Sequence, residues 1–119
     1  MVKLVFCCRR RPELSPEQFS KRWLEVHGPL VRRMREHLPQ MRRYVQSHAM
    51  DDAASRRYDG IASTWFDDTS AMRASATTEE YRLTREDEPN FVEGHLSFVI
   101  TRENVVIEPP AISSSPATG

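Results

Sequence analysis

The stretch Leu14-Ser15-Pro16-Glu17-Gln18-Phe19 decides how the first half of the chain is read. Serine is a strong helix N-cap, proline fits the first helical position, and a glutamine three residues after the cap reaches back to the cap's own N–H. Together they start a helix near residue 16. From there Phe19, Trp23, Val26 and Leu30 recur at helical spacing and give one apolar stripe, as a helix laid on a sheet requires. Gly28-Pro29 interrupts that stripe. Proline removes a backbone donor and disfavours helical geometry at the residue before it, so a kink or a short restart is expected, running through Val31 and Met34 to about residue 37.

Working outward, residues 2–9 are rich in Val, Leu, Phe and Cys and stop at a run of arginines and Pro12, which reads as a buried strand. Residues 41–50 make a second strand, with Arg42, Tyr44, Gln46 and His48 on one face and Arg43, Val45, Ser47 and Ala49 on the other. The polar stretch 51–59 connects it to a third strand over 60–66. Asp67-Asp68-Thr69-Ser70 offers N-caps for a helical piece through Ala76, and Thr78-Glu79-Glu80-Tyr81 starts another that runs toward Glu88 and stops at Pro89. A last strand covers about 96–102, and Val105-Val106-Ile107 either extends it or pairs separately.

The resulting order is β-α-β-β-α-β, an α+β domain of the ferredoxin-like kind over residues 1–108. A Pro/Ser/Ala/Gly-rich tail, 109–119, is expected to be disordered. Helices in this arrangement cover one face of an antiparallel sheet. The other face, to which Val5, Tyr44, Trp65 and Phe98 are assigned, needs a cover, and a homodimer of two facing sheets supplies it.

Composition agrees with one domain of 119 residues, with 17 basic and 17 acidic side chains and no net field to attract nucleic acid or an anionic membrane. The clusters Arg9-Arg10-Arg11, Arg32-Arg33 with Arg35, Arg42-Arg43 and Arg56-Arg57 are interleaved with acids and read as solvated faces. No apolar run approaches the ~20 residues of a spanning helix, and the N-terminus lacks a signal-peptide layout, so a cytoplasmic protein is expected. Cys7 and Cys8 are neighbours on a strand, pointing to opposite faces, which suits neither a disulfide nor a metal clip. The four histidines form no metal-ligand spacing, His37 and His95 included, and the four glycines form no phosphate loop. No metal and no nucleotide cofactor is expected.

Lys3-Leu4-Val5-Phe6, Leu14-Ser15-Pro16-Glu17-Gln18-Phe19 and Trp23-Leu24-Glu25-Val26-His27-Gly28-Pro29-Leu30 together resemble the opening of EthD-domain proteins. Arg43-Tyr44-Val45-Gln46-Ser47-His48, Tyr58-Asp59-Gly60, Trp65-Phe66 and Val105-Val106-Ile107 extend the resemblance over residues 2–107. It implies a dimeric α+β barrel made of two ferredoxin-like sheets, binding small aromatic or apolar molecules. Some members of that superfamily are enzymes that use neither metal nor organic cofactor, among them polyketide dehydratases or cyclases and lactone isomerases. Fold alone does not choose among these.

His27 is the foremost candidate for catalysis, since it follows Trp23 by one turn, sits beside the Gly28-Pro29 break and titrates near neutral pH. The competing reading has its imidazole capping a carbonyl freed at the break. Tyr44 and His48 share a strand face about 13 Å apart and can line one cavity without touching. Structurally, Tyr44 also suits a core aromatic with its hydroxyl at the rim, and His48 a surface histidine. Gln46 suits either a substrate carbonyl or a cross-strand pair. Trp65 and Phe91 are candidate apolar walls. In the lactone-isomerase branch that the sequence distantly resembles, the position before the Trp-Phe pair is a cysteine; here it is Thr64, a weaker acid and nucleophile.

Two functions follow. One is a cofactor-independent lyase or isomerase in which His27 moves a proton while Tyr44 or Gln46 steadies an oxyanion. The other is an accessory protein that only binds an apolar compound. They differ in whether two or more polar groups converge on one apolar void. A haem-dependent or cofactor-free oxygenase ranks third; some superfamily relatives bind haem through one axial histidine, an option the sequence leaves open.

Overall fold

The computed structural model describes residues 1–50, 57–94 and 97–110. Four antiparallel strands, β1 (Val2–Cys8), β2 (Met41–His48), β3 (Gly60–Phe66) and β4 (Ser97–Thr101), form one sheet in the spatial order β2-β3-β1-β4. The helices are α1 (Pro16–Arg22), α2 (Gly28–His37), α3 (Thr69–Ser75) and α4 (Glu79–Asp87), with a 3-10 turn over Glu88–Asn90. This is the ferredoxin-like α+β arrangement. The connection 51–56, His95, Leu96 and the tail from residue 111 fall outside the described residues. No described helix is long and apolar enough to cross a membrane.

The capping box forms as read. Ser15 Oγ accepts from the Gln18 N–H at 3.1 Å and Gln18 Oε1 accepts from the Ser15 N–H at 2.8 Å. The proline break, however, takes a different form from a kink. Residues Trp23–His27 make a single π-turn, with the Gly28 N–H bonded to the Trp23 carbonyl, and the helix then runs on through α2. A widened turn accommodates a proline that has no N–H to offer the preceding turn.

That extra residue changes which side chains face inward. A regular 3.6-residue period places Val26 and Leu30 on the stripe, but Val26 is exposed, and the buried positions are Phe19, Trp23, His27, Val31 and Met34. The π-turn therefore carries Val26 off the inward face and leaves His27, four residues after Trp23, on it.

Cross-strand register corrects the assignment of the sheet faces. Tyr44 pairs with Thr64, Thr64 with Leu4 and Leu4 with Ile100; the next row is Gln46, Ala62, Phe6 and Phe98. These rows carry the helices, because Phe6, Ala62, Cys8 and Tyr44 pack with Phe19, Trp23, Phe91 and Val92. Tyr44 and Phe98 thus lie on the helix side, while Val5 and Trp65 lie on the bare side. A bulge between Met41 and Arg43 puts Met41, not Arg42, on the Tyr44 face. Arg42 turns away to pair with Asp67 at 2.6 Å.

Two further readings are corrected. The second strand ends at His48 rather than residue 50, and Val105, Val106 and Ile107 are exposed and form no strand. The largest fully buried side chains are Trp23, Phe19, Phe66 and Phe91. Each contributes about 1.5–3 kcal/mol of burial free energy, so this aromatic group anchors α1 and the π-turn to the sheet.

Candidate functional site

A cavity of about 90 Å³ lies between the helices and the sheet, walled by Trp23, Val31, Met41, Phe66 and Phe91 among other residues. His27, Tyr44, Thr64 and Glu88 reach the same void. A groove of about 700 Å³ over the β4 side shares Leu4, Phe6, Tyr81, Arg85 and Glu88 with it, so the two spaces adjoin there. Apolar walls with a few convergent polar groups are what a small-molecule site needs.

His27 reaches the void through a chain of contacts that begins outside. Arg22 donates to Asp87 Oδ1 at 2.5 Å, and Asp87 Oδ2 stands 3.2 Å from His27 Nδ1. A carboxylate can only accept, so the imidazole carries its hydrogen on Nδ1 and keeps a lone pair on Nε2. Burial pushes the His27 pKa below its usual 6.5, against the opposite pull of Asp87. The ring is therefore neutral at pH 7, a base with a fixed tautomer, and it packs edge-on against Phe91 at 5.3 Å. The bond to Asp87 replaces the carbonyl cap that the break had suggested.

Asp87 escaped the sequence reading. It sits in the acidic run Glu86-Asp87-Glu88, which looks solvated. The available signal was the spacing of Glu80, Thr84 and Asp87, which recur at helical intervals and are the buried residues of α4. A helix whose inward stripe is polar is offering those groups to something.

Tyr44, Gln46 and His48 form a second chain. The Gln46 amide donates to the Trp23 carbonyl at 2.9 Å and to the Tyr44 hydroxyl oxygen at 3.1 Å, and Gln46 Oε1 stands 3.0 Å from His48 Nε2. The other ring nitrogen of His48 meets Ser20 Oγ at 2.9 Å, and the ring packs at a tilt against Trp23, 4.5 Å between centroids. Both nitrogens of His48 and both amide hydrogens of Gln46 are thus engaged. These two residues hold Tyr44 and the π-turn rather than presenting a free group to a ligand.

Tyr44 is different. Its oxygen accepts from Gln46, and its own hydrogen has no acceptor among the described residues. Burial pushes the phenol pKa up to about 12, overriding the Gln46 and Trp23 donors that favour the phenolate. It therefore stays a neutral O–H, on a residue that lines the cavity.

The remaining candidates separate by face. Thr64, buried, lines the cavity, and its hydroxyl makes no hydrogen bond among the described residues. Phe91 lines it as an apolar wall. Trp65 does not: it points to the bare face, where its indole N–H donates to Glu103 at 2.7 Å and Lys3 and Arg43 stand over its ring. Glu88, also missed, lines both the cavity and the outer groove, and burial raises its carboxyl pKa despite the opposing charge of Arg85. Cys8 is buried, with its thiol pushed up to about 12, and is inert as a nucleophile. Among the described residues no group of three or more His, Cys, Asp and Glu side chains gathers as a metal site.

A family model described as the EthD domain matches residues 11–95. The chain belongs to the EthD family. Its resemblance to that family, read from the residues, is borne out. This EthD domain is also similar to a solved EthD (ethyl tert-butyl ether D) family protein from Bacillus halodurans. The two are 21% identical with a TM-score of 0.69, over 87% of this chain and 99% of that one. It is similar, too, to a dimeric protein of unknown function and ferredoxin-like fold from Bacteroides fragilis, at 13% identity and a TM-score of 0.68, covering 86% of this chain and 95% of the other. A dimeric ferredoxin-like protein from Thermobifida fusca matches at 14% identity and 0.64, over 84% and 88%. At these identities the structures share the fold. A search among curated proteins gave no match.

Proposed function

We propose that this EthD domain is a homodimer that binds a small aromatic, polyketide-like or lactone compound and acts on it as a cofactor-independent lyase or isomerase. The observation that carries the reading is His27, a buried neutral imidazole whose Nδ1 is committed to Asp87 while the ring reaches an apolar cavity. Tyr44, with an unspent O–H, reaches the same cavity. In the reaction proposed, His27 Nε2 removes a proton from carbon next to a carbonyl, and the electron pair moves to the carbonyl oxygen, which Tyr44 stabilises by hydrogen bonding. The imidazolium then returns the proton, either to another carbon, giving an isomer, or to a departing hydroxyl, releasing water. At about 90 Å³ the cavity holds the reacting part of such a molecule, and the groove toward β4 takes the rest.

The homodimer is supported by the bare face, where Val45, Ser63, Val5 and Val99 form one row across the sheet with Ile61 exposed beside it. The dimeric ferredoxin-like relatives point the same way. A cytoplasmic location and a domain over 1–108 fit this reading.

The test is a screen of aromatic ketones and lactones against wild type and His27→Ala, following both turnover and binding. Turnover that falls in His27→Ala while binding persists is expected. Equal turnover in both proteins removes His27 from the mechanism, and binding without turnover in either makes the protein a non-catalytic carrier.

A further inference from the structure

On the opposite side of the molecule from β4, a groove of about 680 Å³ runs between α2 and the β2 edge. Its lining includes Arg32, Arg35 and Arg43 and no acidic residue. In a chain with 17 cationic and 17 anionic side chains that is a local imbalance, and a cleft of one sign concentrates ligands of the other. Several arginines are paired, Arg10 with Asp59, Arg11 with Glu13, Arg22 with Asp87, Arg42 with Asp67 and Arg82 with Glu79. Arg32 and Arg35 make no ion pair or hydrogen bond among the described residues. They stand one helical turn apart on α2, where like charges repel until an anion is placed between them. Pro29, Val31 and Met41 give the same groove an apolar floor, and Tyr44, Gln46 and His48 line it as well.

We infer that this groove is a second binding site, for a small organic acid whose carboxylate is held by Arg32 and Arg35 and whose apolar body lies over Pro29 and Val31 toward Tyr44. Guanidinium pairs match a carboxylate through parallel N–H donors, and the groove volume falls within the range of small-molecule sites. A polyanion is a poorer occupant, because the floor is apolar. The site stands independently of proton transfer at His27, although the groove and the cavity share Val31, Met41 and Tyr44.

The test titrates the intact protein with 2-naphthoate and with its neutral counterpart 2-naphthamide, by calorimetry and by following the Gln46 side-chain amide in NMR spectra. Naphthoate is expected to bind more tightly, to weaken with salt and to shift the Gln46 signals. Arg32→Gln with Arg35→Gln is expected to weaken naphthoate at least about tenfold, as loss of charge-assisted bonds should, and to leave naphthamide unchanged. Arg33→Gln, outside the groove, serves as the charge control. No naphthoate binding, equal binding of acid and amide, or equal loss in the Arg33 control overturns the proposal. His27→Ala should leave naphthoate binding intact, so failure of the catalytic reading is seen separately.

Discussion

His27 Nδ1 and Asp87 Oδ2, 60 residues apart in sequence, meet at 3.2 Å where the π-turn faces the end of α4. The carboxylate is held from its other side by Arg22, and this fixes what a substitution would do. In Asp87→Asn the amide oxygen would stay with the Arg22 donor and the amide N–H would face His27. Nδ1 would then have to accept, moving the ring hydrogen to Nε2 and removing the base from the cavity. We expect turnover to fall by about 10²–10⁴ with ligand affinity changed far less, as when a histidine base is held in the wrong tautomer. ¹⁵N spectra of His27 check this without any substrate. An Nδ1–H tautomer retained in Asp87→Asn would refute it.

The direction of the His27 shift sets a pH dependence. Because burial holds the folded pKa below 6.5, the ring stays neutral as pH falls through the range where a free histidine would protonate. Activity should be level at neutral pH and decline only below pH 6.5, with the acid limb lost in His27→Ala. Stability follows the same sign. Below 6.5 the unfolded chain takes up protons that folded His27 and His48 resist, so stability is full above 6.5 and decreases as pH drops toward the folded values. Denaturant melts at a series of pH values read this directly. A protein that becomes more stable between pH 6.5 and 5 contradicts both assignments.

How much of this was legible beforehand depends on period and partnership. The capping box, the order of elements along the chain and the family resemblance are local or cumulative signals, and all three were readable from residues 2–107. What a 3.6-residue period hid was the π-turn, since one extra residue turned Val26 outward and left His27 as the inward side chain. Sheet faces were half legible. Alternation along the strand beginning at Met41 put Tyr44, Gln46 and His48 together correctly, but nothing in the sequence says which face the helices take. Asp87 and Glu88 were illegible for a related reason, because an acidic run looks solvated until the fold shows which of its members turns inward.

Gly60 supports the site from below. A Cβ at this position would come within 2.4 Å and 2.7 Å of the Trp23 ring and 3.0 Å of the Ser47 carbonyl. Trp23 is only 1% exposed, wedged between Phe19 and His48, and has no room to retreat. Gly60→Ala should therefore destabilise the domain by about 1–3 kcal/mol, the usual effect of overpacking, and weaken ligand binding by shifting the π-turn. Gly28→Ala is the contrast, since its nearest neighbour beyond the helix is Gln46 Nε2 at an ordinary 3.6 Å. Equal melting temperatures for wild type and Gly60→Ala would mean that Trp23 does not hold its place against β3.

The bare face gives the last prediction. Val99 is 53% exposed and shares a row with Val5, Ser63 and Val45, on the side of the sheet away from both buried clusters. In an isolated protomer Val99→Glu should thus cost no more than about 0.5 kcal/mol, as surface substitutions do. In a two-fold dimer of facing sheets the same change introduces two like charges into one apolar interface, each stripped of water, at a penalty of several kcal/mol. Sedimentation at micromolar concentration should find wild type as a dimer and Val99→Glu as a folded monomer. The cavity should survive in that monomer, because His27, Tyr44 and Asp87 all come from one chain and none reaches the bare face. A wild-type monomer would sink the paired-sheet reading, and a Val99→Glu protein that still dimerises would place the interface elsewhere.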